Sequence, residues 1–166
     1  EGYCDCAVKG RDTCVRTDDE SKADQACTQA QAYAECGNGA HRGRNCKNKR
    51  IQQGEFAKVS VFWDDGMGLG ARAEEGIDEG GFIGLYTGIM TRRRKGVRRN
   101  GHSYIMRFDE TWNVDAAEGG SLMRFVNSSC KPNAKIVRWY SGRKWHLVYV
   151  ATRRIESGEK IMVDYG

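Results

Sequence analysis

Six of the seven cysteines, Cys4, Cys6, Cys14, Cys27, Cys36 and Cys46, fall within the first 46 residues. Few large apolar side chains accompany them. Such a stretch cannot bury enough apolar surface to offset the entropy of ordering it. It therefore needs a staple, either disulfide or metal. Cys4-Asp5-Cys6 sets two thiols one residue apart, and Cys36, His41 and Cys46 recur at spacings of five. Structural zinc takes four Cys or His ligands. Six Cys and His41 make seven, enough for two zinc ions if one thiolate bridges, and Cys14 is the candidate bridge. A Zn2Cys6 cluster without His41 stays open, as does a disulfide framework, against which the odd cysteine total argues. Within this stretch the run of Ala, Gln and Lys predicts a short helix over 22–34.

The character of the chain changes near residues 50–55, which divides it into a cysteine-rich segment, 1–54, and a β-rich domain, 55–166. Phe56–Trp63 alternates apolar and polar side chains, the signature of a half-buried strand. The segments 81–90, 103–108, 112–117, 135–140, 144–155 and 159–165 read as further strands, with glycine breaking the first. With 21 glycines and one proline, the punctuation is that of many short strands joined by turns. At 39% hydrophobic and 30% charged, with a net charge of +5, the composition is that of an ordinary globular chain. No run of 18 apolar residues is present, so no membrane-spanning helix is expected.

Three motifs could carry chemistry, and each has an ordinary explanation. Gly66, Met67 and Gly68 lie in a glycine-rich turn that would let backbone approach a ligand, though most such runs are simple turns. Arg124-Phe125-Val126 looks apt for a buried strand, yet runs directly into Asn127-Ser128-Ser129-Cys130 and then Pro132. Asn127 offers both an amide donor and an acceptor. Tyr165 ends the chain's last apolar segment, where a buried ring with its hydroxyl at the rim would be unremarkable.

Their order is specific. Gly66-Met67-Gly68, His102-Ser103-Tyr104, Val114-Asp115-Ala116, Arg124 through Asn133, and Gly158 through Tyr165 resemble, in sequence, the motifs of SET-domain protein lysine methyltransferases. The cysteine-rich segment resembles the zinc-binding segment (pre-SET or AWS-like) that precedes the domain in the histone-methylating branch. The resemblance implies a mainly β (α+β) fold of several small sheets. In that fold the Asn127 segment is threaded beneath a loop formed by the C-terminal strand, a pseudoknot. It also implies S-adenosylmethionine as methyl donor, two zinc ions before the domain, a histone tail as substrate and a nuclear, monomeric protein. By the same resemblance Tyr165 and Tyr104 are catalytic. Gly66, Met67, Gly68, His102, Ser103, Tyr104, Arg124, Asn127, Ser128 and Tyr165 would bind the donor. Tyr86, Tyr149 and Val163 would wall the lysine channel.

The chain departs from the family pattern in places. Ser128 stands where the family usually has His, Gly120-Ser121 where Gly-Asn is common, and Leu85 and Ile89 flank the strand at Tyr86 where Glu is frequent. The trailing cysteines that join the family's equivalent of Cys130 on a further zinc are not in this sequence. These departures keep a second reading alive, a catalytically silent module that docks chromatin or a protein. Arg92–Arg99 holds six positive charges in eight residues. Such runs are usually solvated, but this one would suit the phosphates of nucleosomal DNA.

Overall fold

The computed structural model describes residues 32–36, 48–93 and 104–165. They form two compact units. The first takes the chain up to Phe56 together with Val137–His146, and the second takes Ala57–Ile136 and Leu147 onward.

In the second unit, strands β1 (Val59–Asp64) and β2 (Gly68–Ala73) pair antiparallel, from Val59 opposite Ala73 to Asp64 opposite Gly68. The turn between them is held by the Asp64 carboxylate, which accepts the Gly66 N–H at 3.1 Å, a frequent use of Asp at a turn. Gly68 leaves the turn at φ 80°, a conformation open to glycine. The sequence reading ended the strand at Trp63 and took the glycine-rich run 64–73 as a turn; six of those ten residues form strand β2.

The segment 81–90 splits at Thr87-Gly88 into β3 (Phe82–Tyr86) and β4 (Ile89–Arg92). β3 is buried almost throughout because it lies beside β9 (Lys144–Ala151), with β8 (Ala134–Ser141) on the other side of β9. β4 joins a separate sheet in the order β4-β6-β5, with β5 (Ile105–Arg107) and β6 (Trp112–Asp115). Arg124-Phe125 is not a strand. Leu122–Phe125 forms a 3-10 turn, and only Asn127–Ser128 is extended, as β7. β7 pairs in parallel with β10 (Met162–Val163), about thirty residues later. A parallel pair cannot be closed by a tight hairpin, so the intervening chain makes the β8–β9 excursion first. One core joins these pieces, with Ile83, Tyr86, Met123, Val126, Tyr149, Ile155, Ile161 and Val163 among its members.

The first unit is organised by a buried carboxylate. Glu35 accepts hydrogen bonds from the Ile51 and Gln52 N–H groups at the start of helix α1 (Arg50–Gln53), from Gln52 Nε2 at 3.0 Å and from Ser141 Oγ at 2.5 Å. Ala34 bridges to Tyr140, and Tyr33 packs edge-on against Trp139. The expected helix over 22–34 falls mostly outside the described residues. Its last residues are not helical: Ala32 and Tyr33 form a turn and Ala34 is extended, because the backbone of Tyr33 and Glu35 is engaged by Tyr140.

Candidate active site

The two ends of the site meet through backbone. Ser129 N–H donates to the Val163 carbonyl at 2.8 Å, and Asn133 N–H to the Met162 carbonyl at 3.1 Å. The buried Asn133 side chain then closes the seam. Its Oδ1 accepts the Met162 N–H at 2.8 Å, and its Nδ2 donates to the Lys160 carbonyl at 2.8 Å and to Glu159 at 3.0 Å. A buried amide with all these partners fixes register, since losing one would leave an unpaired polar group in the core. The consequence lies two residues beyond β10. Tyr165 Oη donates to the Val126 carbonyl at 2.6 Å, immediately before Asn127. That phenol oxygen keeps lone pairs free to accept from another donor.

Four tyrosines share this region. Tyr86 and Tyr149 pack with ring centroids 6.4 Å apart, and Tyr86 Oη donates to the Tyr104 carbonyl at 2.5 Å. Burial pushes the Tyr86 hydroxyl up to about 12, with Tyr165 and Asp115 adding to the shift. Burial raises Tyr149 further, and the nearby Tyr165 and Tyr86 push the same way. Tyr165 is raised too, by burial first and then by Tyr104. All three phenols are therefore protonated at neutral pH. They can orient an amine and accept from it, but none is a ready base. Val163 is fully buried in the same core as Tyr86 and Tyr149.

Arg124 lies over the rings of Phe125 (4.7 Å) and Tyr104 (5.7 Å), and its Nη1 donates to the Ala116 carbonyl at 3.0 Å. Its buried Nε has no hydrogen-bond partner among the described residues. Asn127 Nδ2 donates to the Leu69 carbonyl at 3.0 Å. The backbone that Asn127 reaches is thus that of Gly68-Leu69-Gly70, inside β2, rather than the Gly66-Met67 turn, where Met67 is exposed. A Cβ on Gly70 would press on the Phe62 ring at 2.9 Å and on Asn127 Nδ2 at 3.4 Å. Leu69 was not among the sequence-derived candidates; the glycines at 66, 68 and 70 marked this run as one where backbone could approach a ligand, and the pair at 68 and 70, one strand period apart, was the clue to it. Ser128 is exposed beside Asn127, and Cys130 is exposed after it.

His102 and Ser103 lie outside the described residues, as do Arg94–Arg99. So do six of the proposed metal ligands: Cys4, Cys6, Cys14, Cys27, His41 and Cys46. Cys36 is described. It is buried, and its Sγ is approached by Asn48 Nδ2 at 3.5 Å. An amide donor at the sulfur is the kind of outer-shell contact a metal-bound cysteine would have.

Residues 68–166 match the family described as SET domain. A histone-lysine N-methyltransferase, H3 lysine-36 specific, of Candida albicans is 34% identical over 98% of this chain and 20% of its own length. The Saccharomyces cerevisiae protein of the same name is 32% identical over 98% of this chain and 23% of its own. This chain spans about a fifth of the length of such relatives. Among solved structures, a ctPRC2 in an autoinhibited conformation bound to S-adenosylmethionine contains a similar chain. The TM-score is 0.76 at 25% identity, covering 93% of this chain and 22% of that one. The Chaetomium thermophilum polycomb repressive complex 2 gives 0.75 at 25% identity, over 84% of this chain and 22% of that one.

Proposed function

Since the chain belongs to the SET-domain family, we propose that it transfers methyl groups from S-adenosylmethionine to a lysine side chain of a protein. The observation that carries the reading is the junction of the two motifs: Tyr165 Oη on the Val126 carbonyl, beside Asn127 on the Leu69 carbonyl. The donor group supplies an electrophilic methyl on a positively charged sulfur; nitrogen gains the N–C bond, sulfur keeps the electrons of the broken C–S bond, and the amine's proton leaves to solvent. The fit to this chain rests on the Gly68-Leu69-Gly70 backbone that Asn127 reaches and on the orphan Arg124 Nε. Asn127, Arg124 and that backbone would hold the donor. His102 and Ser103 would complete the contact, by resemblance.

The lysine must react as a neutral amine, and its ordinary pKa is about 10.4. Tyr86 and Tyr149 offer neutral aromatic walls, which disfavour the ammonium by desolvation. With its proton committed to Val126, Tyr165 Oη accepts an N–H of the amine and turns the nitrogen lone pair toward the methyl. Alignment of this kind can supply on the order of 7–11 kcal/mol of a barrier.

The relatives' names favour histone H3 lysine-36 as target, and with it a place on chromatin in the nucleus. The arginine run, of which Arg92 and Arg93 are exposed, would meet nucleosomal DNA. Replacing Arg92, Arg93 and Arg94 by Ala should lower turnover on nucleosomes and spare a free peptide; equal loss on both would refute that contact. The cysteine-rich segment would hold two zinc ions, with Cys36 as one ligand. Metal analysis finding none would remove them from the account.

Tyr165→Phe tests the chemistry. The variant should fold, still bind S-adenosylmethionine and lose at least about a hundredfold in turnover, the scale of one positioned proton-handling group. Unchanged turnover on an H3 peptide would sink the assignment. Failure of the parent to bind S-adenosylmethionine at all would favour the silent docking module instead.

A further inference from the structure

The tip of the β8–β9 hairpin has a composition that methyl transfer does not use. Val137–His146 contains three aromatic residues and three permanent cations, with no Asp or Glu, and the acid-free run extends from Gly119 to Ile155. The strand period sorts these side chains. Trp139 and Ser141 turn inward and are buried, while Arg138 and Tyr140 alternate with them on β8 and face out; at the start of β9 Lys144 and Trp145 are both exposed. Trp145 is 45% exposed and Tyr140 38%. Their rings sit 5.2 Å apart between centroids, and the Arg138 guanidinium lies over Trp145 at 4.9 Å. The result is a row of flat groups on an open surface, with Arg143 and Lys144 at its end.

The turn itself supplies a second, independent observation. Gly142 and Arg143 both have positive φ, 57° and 67°. Two-residue hairpin turns of this kind favour Asn-Gly or Gly-Gly, and a non-glycine residue in the left-handed region is uncommon. An arginine is thus held in a conformation that glycine would adopt without strain, on the exposed turn of the hairpin. Strain kept at one surface position points to a use for the side chain.

We propose that this hairpin tip binds single-stranded nucleic acid. Duplex DNA would satisfy Arg143 and Lys144 through phosphates but would leave the rings without partners, because its base faces are stacked inside. An acidic peptide leaves the rings equally idle. Single strands expose base faces and phosphates together, and both are met here by exposed rings beside cations. The proposal does not depend on methyl transfer, because none of these residues belongs to the site described above.

The test is fluorescence anisotropy of the whole chain with a labelled single-stranded oligonucleotide about ten nucleotides long, in RNA and DNA form, against a duplex of the same length. The single strand should bind more tightly than the duplex. Trp145→Ala and Tyr140→Ala should each weaken binding about tenfold, the scale of one lost base stack, and Trp145→Phe should restore most of it. Arg143→Gly should weaken binding and flatten the salt dependence by about 0.7 in the log–log slope. It should also hold or raise the melting temperature, which a purely structural role for Arg143 would not combine with weaker binding. Because glycine suits this turn, Arg143→Gly keeps the test decisive even if an alanine variant unfolds the hairpin. Methylation of a peptide by Arg143→Gly should match the parent. Preferential duplex binding, parent-like binding by the Trp145 and Arg143 variants, or equal competition by polyglutamate would each overturn the proposal.

Discussion

Val163 stands two residues before Tyr165, where the proteins this chain resembles tend to carry Phe or Tyr. It is fully buried, with Tyr86 and Tyr149 in the same core. Valine is smaller than either aromatic residue and has no hydroxyl to anchor a water. A lysine that already bears a methyl group therefore has more room. The parent should reach di- or trimethyl-lysine with excess donor, read by mass spectrometry of the product peptide at long times. Val163→Tyr should shift the products toward monomethyl. A parent that stops cleanly at one methyl would show that another side chain closes the space. At this scale the sequence singled out Tyr165 and Asn127 through the motifs around them. It was silent on Leu69, because a carbonyl's role depends on what lies across from it.

The elements are short, and glycines let them cross closely. Gly88, between β3 and β4, has no room for a Cβ, which would collide with the Asp115 carbonyl and come within 3.0 Å of Ala116 Cα. Gly120 is closed in the same way by the Thr87 carbonyl. Both obstacles are backbone, which cannot rotate aside. Gly88→Ala should cost about 1–3 kcal/mol, the scale of an overpacked site, and lower the melting temperature by several degrees. It should also disturb the Ile89–Asp115 pairing that opens the β4–β6 ladder. An unchanged melting temperature would mean that this crossing is loose. Alternation in the sequence found β1, β5, β6, β8 and β9. It gave β10 too much length, because only Met162 and Val163 pair with β7, while Ile161 reaches the core from outside the ladder.

Across the molecule, the tyrosines set a limit at alkaline pH. Burial raises the Tyr86 hydroxyl to about 12 and holds Tyr149 and Tyr165 above their ordinary range. In the unfolded chain these phenols ionise near pH ~10. The folded form retains their protons longer, so their contribution is fully present below about pH 10. It is lost as pH rises from there through the folded values. Urea midpoints should hold steady up to about pH 9 and fall by pH 11. Tyr86→Phe, which cannot ionise, should make that fall shallower. A fall as steep in the variant would assign the alkaline loss to other groups. The same protonation implies that the pH–rate profile near neutrality follows the substrate amine rather than these tyrosines.

Much followed from the sequence alone, because it is local or because several motifs recur in one order. The β-rich character and the order of motifs that resembles the SET domain belong to that class. Others required the folded chain. The hydrogen bond from Tyr165 to Val126 spans 39 positions, and the one from Asn127 to Leu69 spans 58. Neither leaves a periodic signal. The 3-10 turn at Leu122–Phe125 overrode an apolar pattern that reads as strand: it packs against β1, β2 and β3, and the parallel partner β10 pairs only with Asn127–Ser128. The outward row of Arg138, Tyr140 and Trp145 likewise exists only when β8 and β9 lie side by side, which fixes their register and puts the three side chains on one face.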